Sequence, residues 1–420
     1  MRKYWRFYWP LALTGVAMVL AVQFQNGALA RYPNAVTELA VFALASSTFG
    51  FLNAGLNFAP QLSNVFARSP HGKRLSHGFV AVWSLVLTIP LAMIATTPGG
   101  AAGVALAYGI DAPLTERVIE YLLYMLPLLF ITGQRMFYTG LLVQAQLTGW
   151  VTALNAVFLA AAVIALVTGF AIGLEPVLTV VGAQTIAGVL HWGLTALVYR
   201  TRYRWPVTLE HETLRVAELL RFFLPMTATG VMFAISRPVL YAFVSRMPDG
   251  IASIAALRVA FDFSTMFQQA ANQFRHFFVT FGLDDIETKR RFMALVGAGL
   301  TAIMLGITLT PLSLWILGGL LGIQGQVLDH ATEVLLVMCL MPVVIIARNY
   351  FHGTLMVKRR TGSMAIGGVM RVLAIAVLAQ AAFAAGWLDH VVAAVILLLG
   401  FVAETVVVLV GHTRLKTRAV

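Results

Sequence analysis

One cysteine, Cys339, is all that the 420-residue chain contains, so no disulfide can form within it and thiols say nothing about compartment. Charge is scarce too. Asp, Glu, Lys and Arg make up 11% of residues, against about a quarter in ordinary soluble domains, which excludes a soluble fold of this length. Alternating segments of about ten residues are missing, which excludes an outer-membrane barrel. Enzyme signatures are missing as well. His211-Glu212 does not continue to HExxH and reads as part of a solvated loop. Gly99-Gly100-Ala101-Ala102-Gly103 lacks the strand–turn–helix setting of a nucleotide fingerprint and reads as a flexible loop or re-entrant turn. His191, His276 and His352 are too scattered for a metal site and read as interior histidines. No catalysis, cofactor or metal is expected, and Cys339 reads as a small buried hydrophobe.

Apolar residues are what the chain has instead: 60% of it, with a mean hydropathy of +0.85. Spanning a bilayer needs roughly 20 mainly apolar residues per helix. Twelve stretches qualify, near 7–29, 38–66, 77–97, 118–144, 150–172, 176–199, 219–245, 250–281, 291–317, 330–357, 363–385 and 388–411. The expected class is all-α: a polytopic membrane protein with twelve transmembrane helices. The formal charge of +12 then reads as topology rather than nucleic-acid binding. Of the 29 Lys and Arg, twenty fall in the termini and the loops of one side, in clusters such as Arg2-Lys3, Lys289-Arg290-Arg291 and Lys358-Arg359-Arg360. Three, Arg31, Arg117 and Arg246, fall on the other side, and six lie inside helices. This positive-inside bias predicts that both termini are cytoplasmic. Arg2 to Arg6, the apolar run from Leu11 and Ala28-Leu29-Ala30 imitate a signal peptide, but an internal repeat makes the segment a body helix.

The repeat is read in four places. Arg6-Phe-Tyr-Trp-Pro10 recurs as Arg221-Phe-Phe-Leu-Pro225, and Asn53-Ala-Gly-Leu-Asn57 recurs in character as Gln268-Gln-Ala-Ala-Asn272, both offset by 215. Glu120-Tyr-Leu-Leu recurs as Glu333-Val-Leu-Leu, and Arg135 with Gly140 recurs as Arg348 with Gly353, both offset by 213. Six helices per half make the repeats parallel. The expected domains are two pseudo-symmetric lobes of six helices, 1–199 and 219–420, joined by a cytoplasmic linker at 200–218. Two such lobes rocking about a central cleft are suited to alternating-access transport.

Charges inside spans cost roughly 2.5–3.5 kcal/mol or more if they face lipid, so they mark protein-facing or wet positions. Arg135, Arg237, Arg258, Arg275, Arg348 and Arg371 lie there, as do Asp262 and Glu404. On the eighth helix Arg258, Asp262, Thr265, Gln269, Gln273 and His276 share a stripe, with Ser264, Gln268 and Arg275 beside it. Such a polar arc predicts a helix lining a wet cavity. Ser46, Gly50, Asn53, Asn57, Gln61 and Asn64 make the corresponding stripe on the second helix. Arg258 with Asp262 (i, i+4) and Arg371 with Glu404 are possible structural pairs, and Arg135 can snorkel. Arg237, Arg275 and Arg348 have no evident carboxylate left over, and guanidinium groups in a wet cavity favour carboxylate or phosphate. The substrate-binding set is therefore Arg237, Arg275, Arg348, Arg258, Gln268, Asn272, Asn53 and Asn57. Asp262, His276 and Glu404 are the coupling candidates, with proton or sodium as the coupling ion.

At Ile235-Ser236-Arg237-Pro238, Phe243-Val244-Ser245-Arg246, Arg348 with Gly353, Arg371-Val372-Leu373, and Gly400-Phe401-Val402-Ala403-Glu404, the chain resembles the progressive ankylosis protein family. That family is a branch of the multidrug/oligosaccharidyl-lipid/polysaccharide exporter superfamily. The resemblance runs end to end, is clearer in the second half, and includes Arg275. It implies a two-lobed twelve-helix fold and export of organic or phosphate anions such as citrate, nucleotides or pyrophosphate. Asn26 departs from it, standing where the family tends to have an acidic residue. A flippase for lipid-linked pyrophosphate or polysaccharide precursors is the alternative, and a non-transporting membrane scaffold a third reading. Short loops and abundant alanine point to a bacterial inner membrane.

Overall fold

The computed structural model describes residues 1–420 apart from 146, 205–213, 358–361 and 418–420. At 7, 10, 11, 14–18, 225, 226, 229, 275, 276, 279, 280, 356, 357, 362 and 414–417 it describes the backbone alone. The linker motif Glu210-His211-Glu212 therefore lies outside the described residues, as do the side chains of Arg275 and His276.

The described chain is helical throughout. Its first half runs α1 (Arg2–Leu29), α2 (Ala35–Asn53), a 3-10 turn (Ala54–Leu56), α3 (Ala59–Phe66), α4 (Pro70–Thr96), α5 (Pro98–Tyr108), α6 (Ala112–Gln144), α7 (Thr148–Ala171) and α8 (Pro176–Arg202). The second runs α9 (Val216–Ala234), α10 (Ser236–Val244), α11 (Gly250–Asn272), α12 (Phe274–Phe281), α13 (Ile286–Leu309), a π-helical turn (Leu314–Leu320), α14 (Gly325–Met338), α15 (Met341–Val357), α16 (Gly362–Ala384) and α17 (His390–Thr417). Reading α2–α3, α9–α10, α11–α12 and α14–α15 as broken rods gives thirteen rods, twelve of them at the predicted places and α5 beyond them. Nine segments among the described residues are long and apolar enough to cross a membrane: Ala35–Phe66, Pro70–Thr96, Thr148–Ala171, Pro176–Arg202, Gly250–Asn272, Ile286–Leu309, Gly325–Leu355, Ser363–Ala384 and His390–Thr413. The chain is thus a multi-pass membrane protein.

Local chemistry explains where rods start and break. Ser69, Thr97 and Asp111 each accept a backbone N–H of the first turn that follows (2.9, 3.0 and 3.1 Å), and proline sits in the first turn of α4, α5 and α6. Pro60, Pro238 and Pro342 fall in the first turns of α3, α10 and α15, where a missing N–H costs least and the preceding turn cannot continue. Two expectations need correction. The glycine run 99–103 is helix, not loop: Thr97-Pro98 starts α5 and Gly109, at φ 61°, ends it. The stretch 291–317 is not one helix, because α13 ends at Leu309 and Thr310-Pro311 turns the chain into the π-helical segment.

The chain forms two compact units, Met1–Ala43 with Val239–Val420, and Leu44–Pro238. They do not follow chain order. α1 belongs with the second-half helices, and α9 belongs with the first-half ones. In the first unit α1 packs on α11, and its start is clasped by aromatic rings: Tyr4 meets Phe277 and Phe281 edge-on (4.9 and 5.1 Å), and Tyr8 stacks on Phe274 (4.6 Å). The Tyr8 hydroxyl donates to the Ala270 carbonyl at 3.0 Å. In the second unit Ala59, Leu62, Val80, Phe137, Leu141 and Phe223 form a core shared by α3, α4, α6 and α9. Trp83 Nε1 donates to the Gly55 carbonyl at 3.1 Å, so the carbonyl exposed by the broken helix is satisfied.

Candidate functional site

The first unit carries a buried cluster of charge at α15, α16 and α17. Arg348, Arg371 and Glu404 are 0%, 1% and 4% exposed, so water screens none of them. Glycine brings α16 and α17 close enough to join them. A Cβ at Gly400 would lie 2.6 Å from Ile375 and 3.3 Å from Arg371 Cγ, and one at Gly367 would lie 3.2 Å from Glu404 Cγ. Arg371 Nη1 donates to Glu404 Oε2 at 2.6 Å. Arg348 Nη1 reaches the same oxygen at 3.4 Å. His352 Nε2 lies 3.7 Å from the other, Oε1.

The second arginine is held by amides. Arg348 Nη2 donates to Asn272 Oδ1 at 3.0 Å and to Asn349 Oδ1 at 3.5 Å, while Arg348 Nε is buried without a hydrogen-bond partner. Asn349 Nδ2 in turn donates to the Ala271 carbonyl at 3.0 Å, at the break between α11 and α12. The Arg348 and Arg371 guanidinium carbons lie 5.4 and 4.9 Å from the Phe401 ring centroid, a cation–π contact that offsets part of their desolvation. Two guanidinium groups thus contact the one carboxylate of Glu404.

A second polar layer lies about 15 Å further along α11, at 1.5 Å rise per residue. Arg258 Nη2 is 3.6 Å from Asp262 Oδ2, and Asn26 of α1 bridges them: Arg258 Nε donates to Asn26 Oδ1 at 2.9 Å, and Asn26 Nδ2 donates to Asp262 Oδ2 at 3.3 Å. The Arg258 guanidinium lies 4.2 Å from the Phe42 ring centroid. Every residue of α11 from Ser253 to Ser264 is buried. The expectation that this helix lines a wet cavity along its length is therefore corrected for its first half, where an amide and a ring replace water.

The other predicted site residues are dispersed. Gln268 is half-buried and donates to Ser264 Oγ at 3.1 Å. Asn53 is half-buried with Oδ1 unpartnered, and Asn57 is exposed after the 3-10 turn; both belong to the second unit. Arg237 is half-buried in α10, also in the second unit, and it is not free of partners. Arg135 lies over the Phe158 ring at 4.9 Å. The expectation that Arg348 has no carboxylate partner is thus corrected by its contact with Glu404. Sequence reasoning passed over Asn349, His352 and Phe401 as site residues and saw Asn26 only as a departure. Position beside Arg348, and one turn from it or from Glu404, was the only local signal for the first three.

No protein-family model matches the chain, and no curated protein matches it in sequence. Solved structures do match it. An inward-facing multidrug resistance MATE family transporter of the MOP superfamily is similar at 15% identity and a TM-score of 0.71, over 97% of this chain and 98% of that one. The lipid II flippase MurJ in its inward closed conformation is similar at 16% identity and a TM-score of 0.69, over 95% of this chain and 87% of that one. A MOP superfamily transporter from Pyrococcus furiosus, described as having a binding pocket of reverse polarity that suggests a different function, is similar at 14% identity and a TM-score of 0.56, over 97% of this chain and 94% of that one. At such identities the likeness is one of architecture, and it identifies the chain as an all-α polytopic membrane protein with the fold that MATE transporters and the MurJ flippase share.

Proposed function

We propose that this protein is a transporter of the MOP type that exports small multivalent anions, of the citrate, nucleotide or pyrophosphate class, by alternating access. One observation carries the reading: in the Arg348–Arg371–Glu404 cluster two buried guanidinium groups contact one carboxylate. Positive charge kept in a membrane interior at such cost is suited to an anionic cargo. The MATE-like architecture supplies a transport fold, the pocket of reverse polarity in one protein of that architecture supports an inverted cargo charge, and the progressive ankylosis resemblance supports the substrate class. Arg237, Arg275 and Arg348 are the proposed grips, with Arg258, Gln268, Asn272, Asn53 and Asn57 as polar lining. Both termini are proposed to be cytoplasmic in a bacterial inner membrane, with proton or sodium as coupling ion.

The likeness to MurJ supports a second reading, a flippase for a lipid-linked pyrophosphate, whose headgroup needs the same charge. Flux measurements separate the readings. Lysine at Arg237, Arg275 or Arg348 keeps charge but loses the fork, and weakens flux of citrate or pyrophosphate per folded molecule. Glutamine weakens it further, by about 1.5–3 kcal/mol per lost contact, or roughly ten- to a hundredfold in affinity. Full normalised flux in all three glutamine variants overturns the anion reading. Absent soluble-anion flux with intact transfer of a lipid-linked pyrophosphate selects the flippase.

A further inference from the structure

Arg348 is held unlike its neighbour. Arg371 has a 2.6 Å contact to Glu404, whereas Arg348 meets that same oxygen at 3.4 Å, leans on two amides and leaves Nε unpartnered although fully buried. A guanidinium presents five N–H donors suited to bidentate carboxylate or phosphate. Here it receives part of one shared oxygen. The carboxylate of Glu404 is chemically what the proposed cargo would present, and it sits between the two arginines, facing Arg348 and His352 from α15 and Arg371 from α16. Asn272 and Asn349 present acceptors to Arg348 and so orient its fork without neutralising it.

We propose that Glu404 is a resident competitor: it occupies the Arg348–Arg371 pair in the substrate-free protein, and an incoming multivalent anion displaces it. The inference rests on the anion-transport reading and adds a specificity rule to it. Only an anion able to satisfy both guanidinium groups outcompetes a tethered carboxylate, so monovalent anions are rejected. The competitor also removes the cost of leaving two buried cations unpaired between transport cycles.

Binding of citrate and of inorganic pyrophosphate to the purified full-length protein in nanodiscs, measured by calorimetry, tests the idea. Removing the competitor in Glu404→Gln is expected to tighten binding about tenfold or more, since one charge-assisted contact no longer has to be broken. Glu404→Asp keeps the charge on a shorter arm and is expected to fall between wild type and Glu404→Gln, which holds the test open if the glutamine variant fails to fold. Acetate is expected to bind neither wild type nor Glu404→Asp measurably. Unchanged or weaker binding in folded Glu404→Gln, with wild-type binding present and lost in Arg348→Gln, overturns the competitor and leaves the anion reading standing. No binding of either anion to wild type and to both Glu404 variants overturns the two together.

Discussion

At the scale of single residues, a buried charge is decided by whichever dipole or charge reaches it. Asn26 shows this most clearly. Its amide oxygen accepts from Arg258 and its amide nitrogen donates to Asp262, so one neutral side chain satisfies both members of a loose ion pair. Asn26→Leu leaves a buried Arg258 Nε–H and an Asp262 oxygen without that partner. A loss of about 1–3 kcal/mol in stability is expected, read as a lower thermal unfolding midpoint in detergent. An unchanged midpoint would show that the layer contributes nothing to folding. The same scale holds the coupling proposal. Neutral isosteres at Asp262, His276 or Glu404 are expected to flatten the pH dependence of anion flux if protons drive transport. Identical pH profiles in all three variants would remove these groups as proton carriers.

At the scale of elements, the internal repeat has a local structural counterpart. α3 and α12 are both eight-residue helices, and their bounds are related by the offset of 215 that links Arg6 to Arg221. Gly140 of α6 faces Pro60 and Ser63 of α3, and Gly353 of α15 faces Phe278 of α12. Each repeat thus packs a short helix against a glycine five residues past an arginine, Arg135 or Arg348. Side chains cannot be added at these contacts without moving backbone or ring, so Gly140→Leu and Gly353→Leu are each expected to destabilise by about 1–3 kcal/mol or more. Folded yield by size-exclusion chromatography reads this out. Gly78→Leu in α4, where nothing lies within 4 Å of a Cβ, is the control expected to fold normally. Equal yields for all three would show that the glycines are not packing contacts.

At the scale of the whole molecule, packing and chain order disagree in an instructive way. The repeat divides the sequence into halves, but α1 is packed with the second-half helices and α9 with the first-half ones. Each unit therefore depends on a helix from the other repeat, and expressing residues 219–420 alone is expected to yield no folded protein, because it would leave the Tyr4–Phe277 clasp and the Asn26 bridge without α1. Rescue by co-expressed residues 1–218 checks the point, and a monodisperse, thermally cooperative 219–420 fragment would contradict it. Topology belongs to this scale as well. The twenty-to-three bias of Lys and Arg between loop sets predicts cytoplasmic termini. A C-terminal reporter that is active only in an oxidising compartment is expected to stay silent, and strong activity would reverse the orientation.

The residue string alone determined the class and the rods. Burying backbone in lipid demands long apolar helices, so twelve rods could be read from hydropathy, although starts such as those of α4, α6 and α14 lie five to seven residues before the expected ones. Even α5 was legible in Thr97-Pro98 and Gly109, had the glycine run not been taken for a loop. The pairs Arg258–Asp262 and Arg371–Glu404 were legible as possibilities, but the tertiary structure alone decided which further groups join them. Arg348 and Glu404 are 56 residues apart, and Arg258 and Asn26 are 232 apart. Periodicity places each of them on a helix face but is silent on which helix that face meets. That choice is made by close-packing, through glycines such as Gly367 and Gly400 and breaks such as the one at Gln273, over distances where one ångström separates an ion pair from a lone buried charge.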